Sequence, residues 1–202
     1  MSNDHYFSSS PDTQLKLRTI NARIAGKEYE LTTSNSIFSP ERIDAGTQVL
    51  LATTPQPPAE GNILDLGCGW GPIALTLAIE SPGAIIWAVD VNERALDLVR
   101  ANAAAVGVEN VRAVTPDAVP EDVSFATIWS NPPIRIGKEA LHGMLEKWMP
   151  RLEQGADAWL VVQRNLGSDS LHRWMDAAFE ASLVTTKEEI SKGYRVLKAH
   201  RL

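Results

Sequence analysis

The chain has 202 residues, 44% hydrophobic and 22% charged, with a formal net charge of −6. That is the make-up of a soluble globular protein with a sizeable core, and it argues against broad coating of nucleic acid, whose phosphates call for a basic partner. There is no apolar run long enough for a bilayer and no apolar signal core in Met1–Pro11, and Cys68 is the single cysteine, so neither a membrane partner, an internal disulfide nor a cysteine metal cluster is expected, and the inferred location is cytoplasmic.

In chain order, Leu15–Ile24 and Tyr29–Thr33 read as extended runs joined by Ala25-Gly26-Lys27, a hairpin pattern. Arg42–Leu51 reads as a helix, and Thr53-Thr54-Pro55-Gln56-Pro57-Pro58 as a stiff connector. From Gly61 strands and helices alternate. Strands are predicted at Asn62–Leu66, Ala84–Val89, Val111–Val114, Phe125–Trp129 and Ala156–Val162. Helices are predicted at Pro72–Glu80, from Asn92 to Val106, at Lys138–Met149, and from a Ser168 or Asp169 cap to Phe179. Two last strands, Leu183–Lys187 and Tyr194–His200, are joined by a link too short for a crossover, so they must be antiparallel. The expectation is an α/β fold: a Rossmann-like, three-layer sheet, mostly parallel, with a reversed final hairpin. It forms a single domain over 1–202, with a hairpin and helix extension over 1–60 and a catalytic core over 61–202.

The first parallel strand ends in Asp65-Leu66-Gly67-Cys68-Gly69-Trp70-Gly71. Glycine lets a backbone approach a ligand closely, and the helix N-terminus that follows favours an anionic group. The spacing is not the dinucleotide pattern, because the third glycine comes one residue early. Asp90 ends the second strand, where a carboxylate can accept both hydroxyls of a ribose. Asp117 follows the third strand, where an acceptor can meet an adenine amino group; Thr115-Pro116-Asp117 is equally the pattern of an ordinary turn.

Asn131-Pro132-Pro133-Ile134 follows the fourth parallel strand. Two prolines fix two φ angles and remove two N–H donors. A rigid backbone carbonyl then stands beside the side-chain carbonyl of Asn131. Such a pair of acceptors suits an exocyclic amino group with two protons to donate.

Together these residues resemble the class I S-adenosylmethionine-dependent methyltransferases, and within them the small-subunit ribosomal RNA guanine-N2 methyltransferases of the C type. Counterparts occur in order at His5–Ser8, Phe38-Ser39, Arg42–Leu51 with Asp44 and Gly46-Thr47, Asp65–Gly71, Asp90–Asn92 and Asn131–Ile134. The resemblance implies a seven-stranded sheet and S-adenosylmethionine as cofactor. It places Asp65, Gly67, Cys68, Gly69 and Trp70 by the methionine part, Asp90 at the ribose, Val91 against adenine, and Asp117 with Ala118 at the adenine edge. Asn131, Pro132, Pro133 and Ile134 would form the catalytic turn, with Asn131 also among the cofactor-binding residues. Ribosomal RNA or the small ribosomal subunit would be the substrate, with His5, Tyr6 and Phe7 covering the site. Two departures stand out. Family members carry a second, degenerate domain, and an aromatic residue usually follows the prolines where this chain has Ile134.

A protein glutamine N5-methyltransferase would use the same turn, but usually with tyrosine after the prolines. A nicotinamide-dependent oxidoreductase or a non-catalytic nucleotide-binding module would explain the glycines and leave Asn131–Pro133 without a purpose. The basic residues Arg135, Lys138, Lys147 and Arg151, and those from Lys187 to Arg201, fit either an RNA-facing rim or a solvated face. His142, His172 and His200 lack metal-ligand spacing, so no metal is expected. The oligomeric state is not encoded in any of these patterns.

Overall fold

The computed structural model describes residues 16–35 and 37–202, so His5, Tyr6 and Phe7 lie outside the described residues. Strands β1 (Leu17–Ile24) and β2 (Lys27–Ser34) form an antiparallel hairpin. Its turn residues, Ala25 and Gly26, both have positive φ, 44° and 82°. This is the primed-turn geometry whose twist matches that of the flanking strands.

Five helices follow in the chain: α1 (Ala45–Thr53), α2 (Pro72–Glu80), α3 (Glu93–Val106), α4 (Lys138–Trp148) and α5 (Ser168–Ala178). The main sheet contains β3 (Glu60–Leu66), β4 (Gly83–Val89), β5 (Val111–Val114), β6 (Phe125–Ser130), β7 (Leu152–Gln163), β8 (Leu183–Ser191) and β9 (Tyr194–Arg201). Its order is β5-β4-β3-β6-β7-β9-β8, and only the pairs made by β9 are antiparallel. The chain winds outward one way through β4 and β5, then the other way through β6 and β7. The reversal lies between β3 and β6, where an open α/β sheet leaves a ligand crevice.

Successive side chains on the strands alternate between two cores. Ile128, Leu160 and Leu197 face Leu145, Trp148 and Met175 of α4 and α5. Trp129, Val161 and Val196 face Leu50, Leu77 and Val99 of α1, α2 and α3. A third core holds the hairpin in place: Ala22, Ile24 and Leu31 pack with Trp70, Leu75 and Leu98. Asn102 of α3 completes the docking. Its Oδ1 accepts the Thr32 N–H at 2.8 Å and its Nδ2 donates to the Thr32 carbonyl at 2.9 Å. One side chain thus pairs a strand peptide as a neighbouring strand would, and satisfies backbone groups that burial would otherwise orphan.

Three local expectations are corrected. First, β8 runs to Ser191, and the link to β9 is only Lys192-Gly193, with φ of 50° and 80°. Lys187-Glu188-Glu189 showed no apolar alternation because β8 is the sheet edge, where charge guards against further pairing. Second, α5 is capped by the backbone of Gly167 in the left-handed conformation, not by Ser168 or Asp169. Asp169 instead accepts from Lys187 at 2.8 Å and from Arg195. Third, α1 starts at Ala45, because Asp44 is its N-cap and accepts the Gly46 N–H at 2.7 Å.

Candidate active site

A cavity of about 560 Å³ opens at the carboxyl ends of β3, β4 and β6. Gly67, Cys68, Gly69 and Trp70 line it from one strand end, Asp90, Val91 and Asn92 from the next, and Asn131 to Ile134 from the third. Residues some sixty apart in the chain therefore share one mouth, because the sheet places β6 beside β3. The Ser130 hydroxyl donates to the Leu66 carbonyl at 2.7 Å and ties the two strand ends together.

The glycine turn is shaped by its backbone. Gly67, Gly69 and Gly71 all have positive φ, and a Cβ on Gly71 would sit 3.1 Å from Val99 Cγ2. A Cβ on Gly69 would meet nothing within 4 Å, so the Gly69 backbone stands open to a ligand. Cys68 is buried, burial pushes its thiol well above the ordinary range, and the side chain fills a corner of the turn. Trp70 is almost fully buried, and its indole N–H donates to the Ser39 carbonyl at 3.2 Å.

Asp90 Oδ2 accepts the Gly69 N–H at 3.0 Å and Oδ1 accepts the Asn92 N–H at 2.9 Å. Burial raises its pKa, and backbone donors oppose the rise. The carboxylate is thereby oriented, and each oxygen keeps a lone pair for a ligand. Val91 beside it is 44% exposed and offers an apolar surface to the cavity. A vicinal diol next to a flat apolar ring fits this arrangement.

Asp65 departs from its expected place. It does not line the cavity and is fully buried. Its Oδ2 accepts the Ala74 N–H at 2.9 Å, in the first turn of α2. The N-cap of α2 is Gly71, which has no side chain, so a carboxylate from the neighbouring strand supplies the missing acceptor. Asp65 Oδ1 has no partner among the described residues. Burial, reinforced by the Asp90 charge and opposed by the Ala74 bond, pushes its pKa up to about 8.

This position has a consequence for stability. Between the ordinary carboxylate range and about pH 8, folded Asp65 holds a proton that the unfolded chain releases. Its contribution is fully present below the unfolded pKa and is lost as pH rises through the folded one. Asp65→Asn should therefore flatten the decline in urea midpoint between about pH 5 and 8. A residual slope from Asp90 and Glu80, whose pKa values are also raised, will remain. An unchanged slope would refute the buried neutral acid.

Asp117 and Ala118 also stand outside the cavity. Both are exposed, and Asp117 pairs with Lys147 of α4 at 3.1 Å; Pro116 lines the cavity in their place. The same pairing removes Lys147 from any basic rim. Arg151 is likewise committed, donating to the Val123 carbonyl at 2.8 Å and lying 4.8 Å from the centre of the Trp148 ring.

At Asn131 the cavity acquires its polar focus. Asn131 Nδ2 donates to Asp44 Oδ2 at 2.9 Å and to Thr47 Oγ1 at 3.1 Å. Both amide protons are taken, so Oδ1 is left as the acceptor. The prolines make a tight turn: Pro133 has φ −74° and ψ 77°, and the Ile134 N–H donates to the Pro132 carbonyl at 2.8 Å. This is an inverse γ-turn, and it leaves the Pro132 oxygen one lone pair. A Cβ on Gly67 would lie 3.7 Å from Pro133 Cδ, so the two turns abut.

The sequence did not single out Asp44 and Thr47 as site residues, nor Gln163 and Tyr194, which also line the cavity. Asp44 and Thr47 stood in the sequence only as counterparts within the resemblance, with no role assigned. Gly46 is required by its surroundings: a Cβ there would sit 2.8 Å from Tyr194 Cε1. Among the described residues no group of three His, Cys, Asp or Glu side chains is placed to hold a metal. No helix among them is long and apolar enough to cross a membrane.

Comparison with known proteins bears on the family and the fold. A protein of Bacillus subtilis described as uncharacterized, YbxB, is 35% identical and covers 98% of this chain and 99% of its own. The ribosomal RNA small subunit methyltransferase C of Erwinia tasmaniensis is 30% identical over 85% of this chain and 50% of its own. Among solved structures, the Thermus thermophilus 16S rRNA N2 G1207 methyltransferase, determined with AdoMet and guanosine, superposes with a TM-score of 0.79. It is 24% identical and covers 96% of this chain and 52% of its own. The chain therefore spans about half the length of these two methyltransferases, and the superposition establishes the shared Rossmann-like fold. The methyltransferase small domain model matches residues 28–198, from the β1–β2 hairpin to the last strand, and the chain belongs to that family.

Proposed function

We propose that this chain transfers a methyl group from S-adenosylmethionine to the N2 amino group of a guanine in ribosomal RNA. The observation that carries this reading is the locked amide of Asn131. With both Nδ2 protons held by Asp44 and Thr47, the side chain presents only a carbonyl oxygen to the cavity. The second acceptor is the remaining lone pair of the Pro132 carbonyl. A planar amino group with two protons matches that pair, and a hydroxyl or a ring nitrogen does not.

S-adenosylmethionine is the cofactor, and when bound it supplies a methyl group already activated on a sulfonium. The residues present fit it: Asp90 for the ribose hydroxyls, Val91 for the adenine face, and the open backbone at Gly69 for close approach. Because the methyl is activated, the protein's task is alignment rather than strong base catalysis. Asn131 Oδ1 and the Pro132 oxygen would hold the two amino protons and so fix where the nitrogen lone pair points; as the nitrogen gains the methyl, one of those protons would pass to water. Ile134, Ile136, Met144 and Trp148 line the same cavity and keep it apolar. A guanine inside RNA must first leave its stack, which costs a few kcal/mol and less in a loop.

The test is direct. The protein is incubated with labelled S-adenosylmethionine and, separately, with small ribosomal subunits, naked rRNA, release factor and DNA. Label in N2-methylguanine of small-subunit rRNA is the expected result. Label in glutamine of release factor would favour the protein substrate instead, and no transfer to any acceptor would overturn the reading.

A further inference from the structure

A second feature stands at this mouth: an exposed aromatic ring on a strained, tethered loop. Ile134, where a stacking aromatic was expected, packs against the core beneath α4 and offers no ring. Among the described residues, four aromatic side chains line the cavity. Trp70 and Trp148 are 2% and 1% exposed, and the Tyr194 ring lies against Gly46. Phe38 is the fourth. It is 49% exposed and packs into none of the three cores.

The loop around Phe38 is not slack. Ile37 before it is buried in the third core. Ser39 after it has φ 51°, a region that non-glycine residues seldom occupy, and its hydroxyl donates to the Arg42 carbonyl at 2.7 Å. Trp70 of the glycine turn holds the Ser39 carbonyl, and the Thr33 hydroxyl donates to the Pro40 carbonyl. Further on, Asp44 and Thr47 hold Asn131. One segment is thus fastened to the glycine turn at Ser39 and to the Asn131 amide at Asp44 and Thr47, and Phe38 immediately precedes the first of these points. Backbone strain maintained by such over-determination points to use rather than accident.

Resting on the proposed reading of the site, we infer that Phe38 is a stacking platform for the extruded purine, a substrate-binding residue at a site where Ile134 offers no ring. The ring face of Phe38 supports the base while Asn131 and Pro132 hold its amino group. An apolar π-surface and two carbonyl acceptors together select a flat, amine-bearing heterocycle.

The probe is a short single-stranded RNA carrying one 2-aminopurine, a fluorescent base with the same exocyclic amine, quenched when it stacks. With the full chain and saturating S-adenosylmethionine, the wild type should quench it on binding. Phe38→Leu keeps the apolar volume and removes the π-face. It should weaken RNA binding roughly tenfold and abolish the quench. Phe38→Trp should restore both, and calorimetric affinity for S-adenosylmethionine should be the same in all three proteins. If Phe38→Leu binds and quenches like the wild type, or if cofactor affinity falls in step with RNA affinity, the assignment is wrong. If the wild type itself neither binds the probe nor labels any RNA, the proposed function fails, and this assignment fails with it.

Discussion

Asn131→Ala is expected to lower turnover by about 10²–10³-fold, the scale set by removing one oriented hydrogen-bond group that acts on the reacting atoms. Cofactor affinity should stay within about twofold, because Asp90, Val91 and the glycine turn are untouched. The same logic orders three further variants. Asn131→Asp replaces a donor facing Asp44 Oδ2 at 2.9 Å by a second carboxylate, so like charges meet and the side chain must turn away. Thr47→Val removes one of the two bonds that lock the amide and should slow transfer by less, on the order of tenfold. Thr47→Ser should recover it. Single-turnover transfer with labelled cofactor, beside calorimetry, reads both quantities. Normal turnover in Asn131→Ala would end the acceptor role.

Asp90→Ala should weaken S-adenosylmethionine by roughly a hundredfold or more, since two charge-assisted bonds at ~1.5–3 kcal/mol each are lost. Part of the effect comes from the apo site. Asp90 Oδ2 orients the Gly69 N–H and Oδ1 the Asn92 N–H, so its removal loosens the glycine turn and the start of α3 together. Asp90→Asn is the sharper probe. It can keep one backbone bond but carries no charge, and should fall between the two. Titration calorimetry decides the matter, and equal affinities across the three proteins would refute the ribose assignment.

Much of the sheet was legible because parallel strands buried on both faces read as short apolar runs between helical periodicities. α2 occupies its predicted bounds, and α3 begins at the predicted Asn92 cap. The same burial hid the orientation of Asp65. A strand covered on both faces gives no alternation to say which way a carboxylate points, and this one points to α2 rather than to the cavity. Asp117 was misplaced for another reason. Its loop offered an acceptor at a plausible position, but Lys147 lies thirty residues further on, and no local pattern announces that pairing. Asp44 stood inside a predicted helix, and nothing local marked it as that helix's cap or as a partner of Asn131. Only the sheet order that sets β6 beside β3, and the α1 contact with the far strands, brings them together.

That last link spans 87 residues. Contacts so distant in sequence close late, after the entropy of the intervening loop has been overcome. A molecule whose sheet has formed but whose α1 start has not yet docked would already possess the glycine turn and Asp90, yet its asparagine could rotate freely. Competence for transfer would then mature after competence for occupancy, so that refolding followed by two reporters should show nucleoside uptake leading the first catalytic cycle.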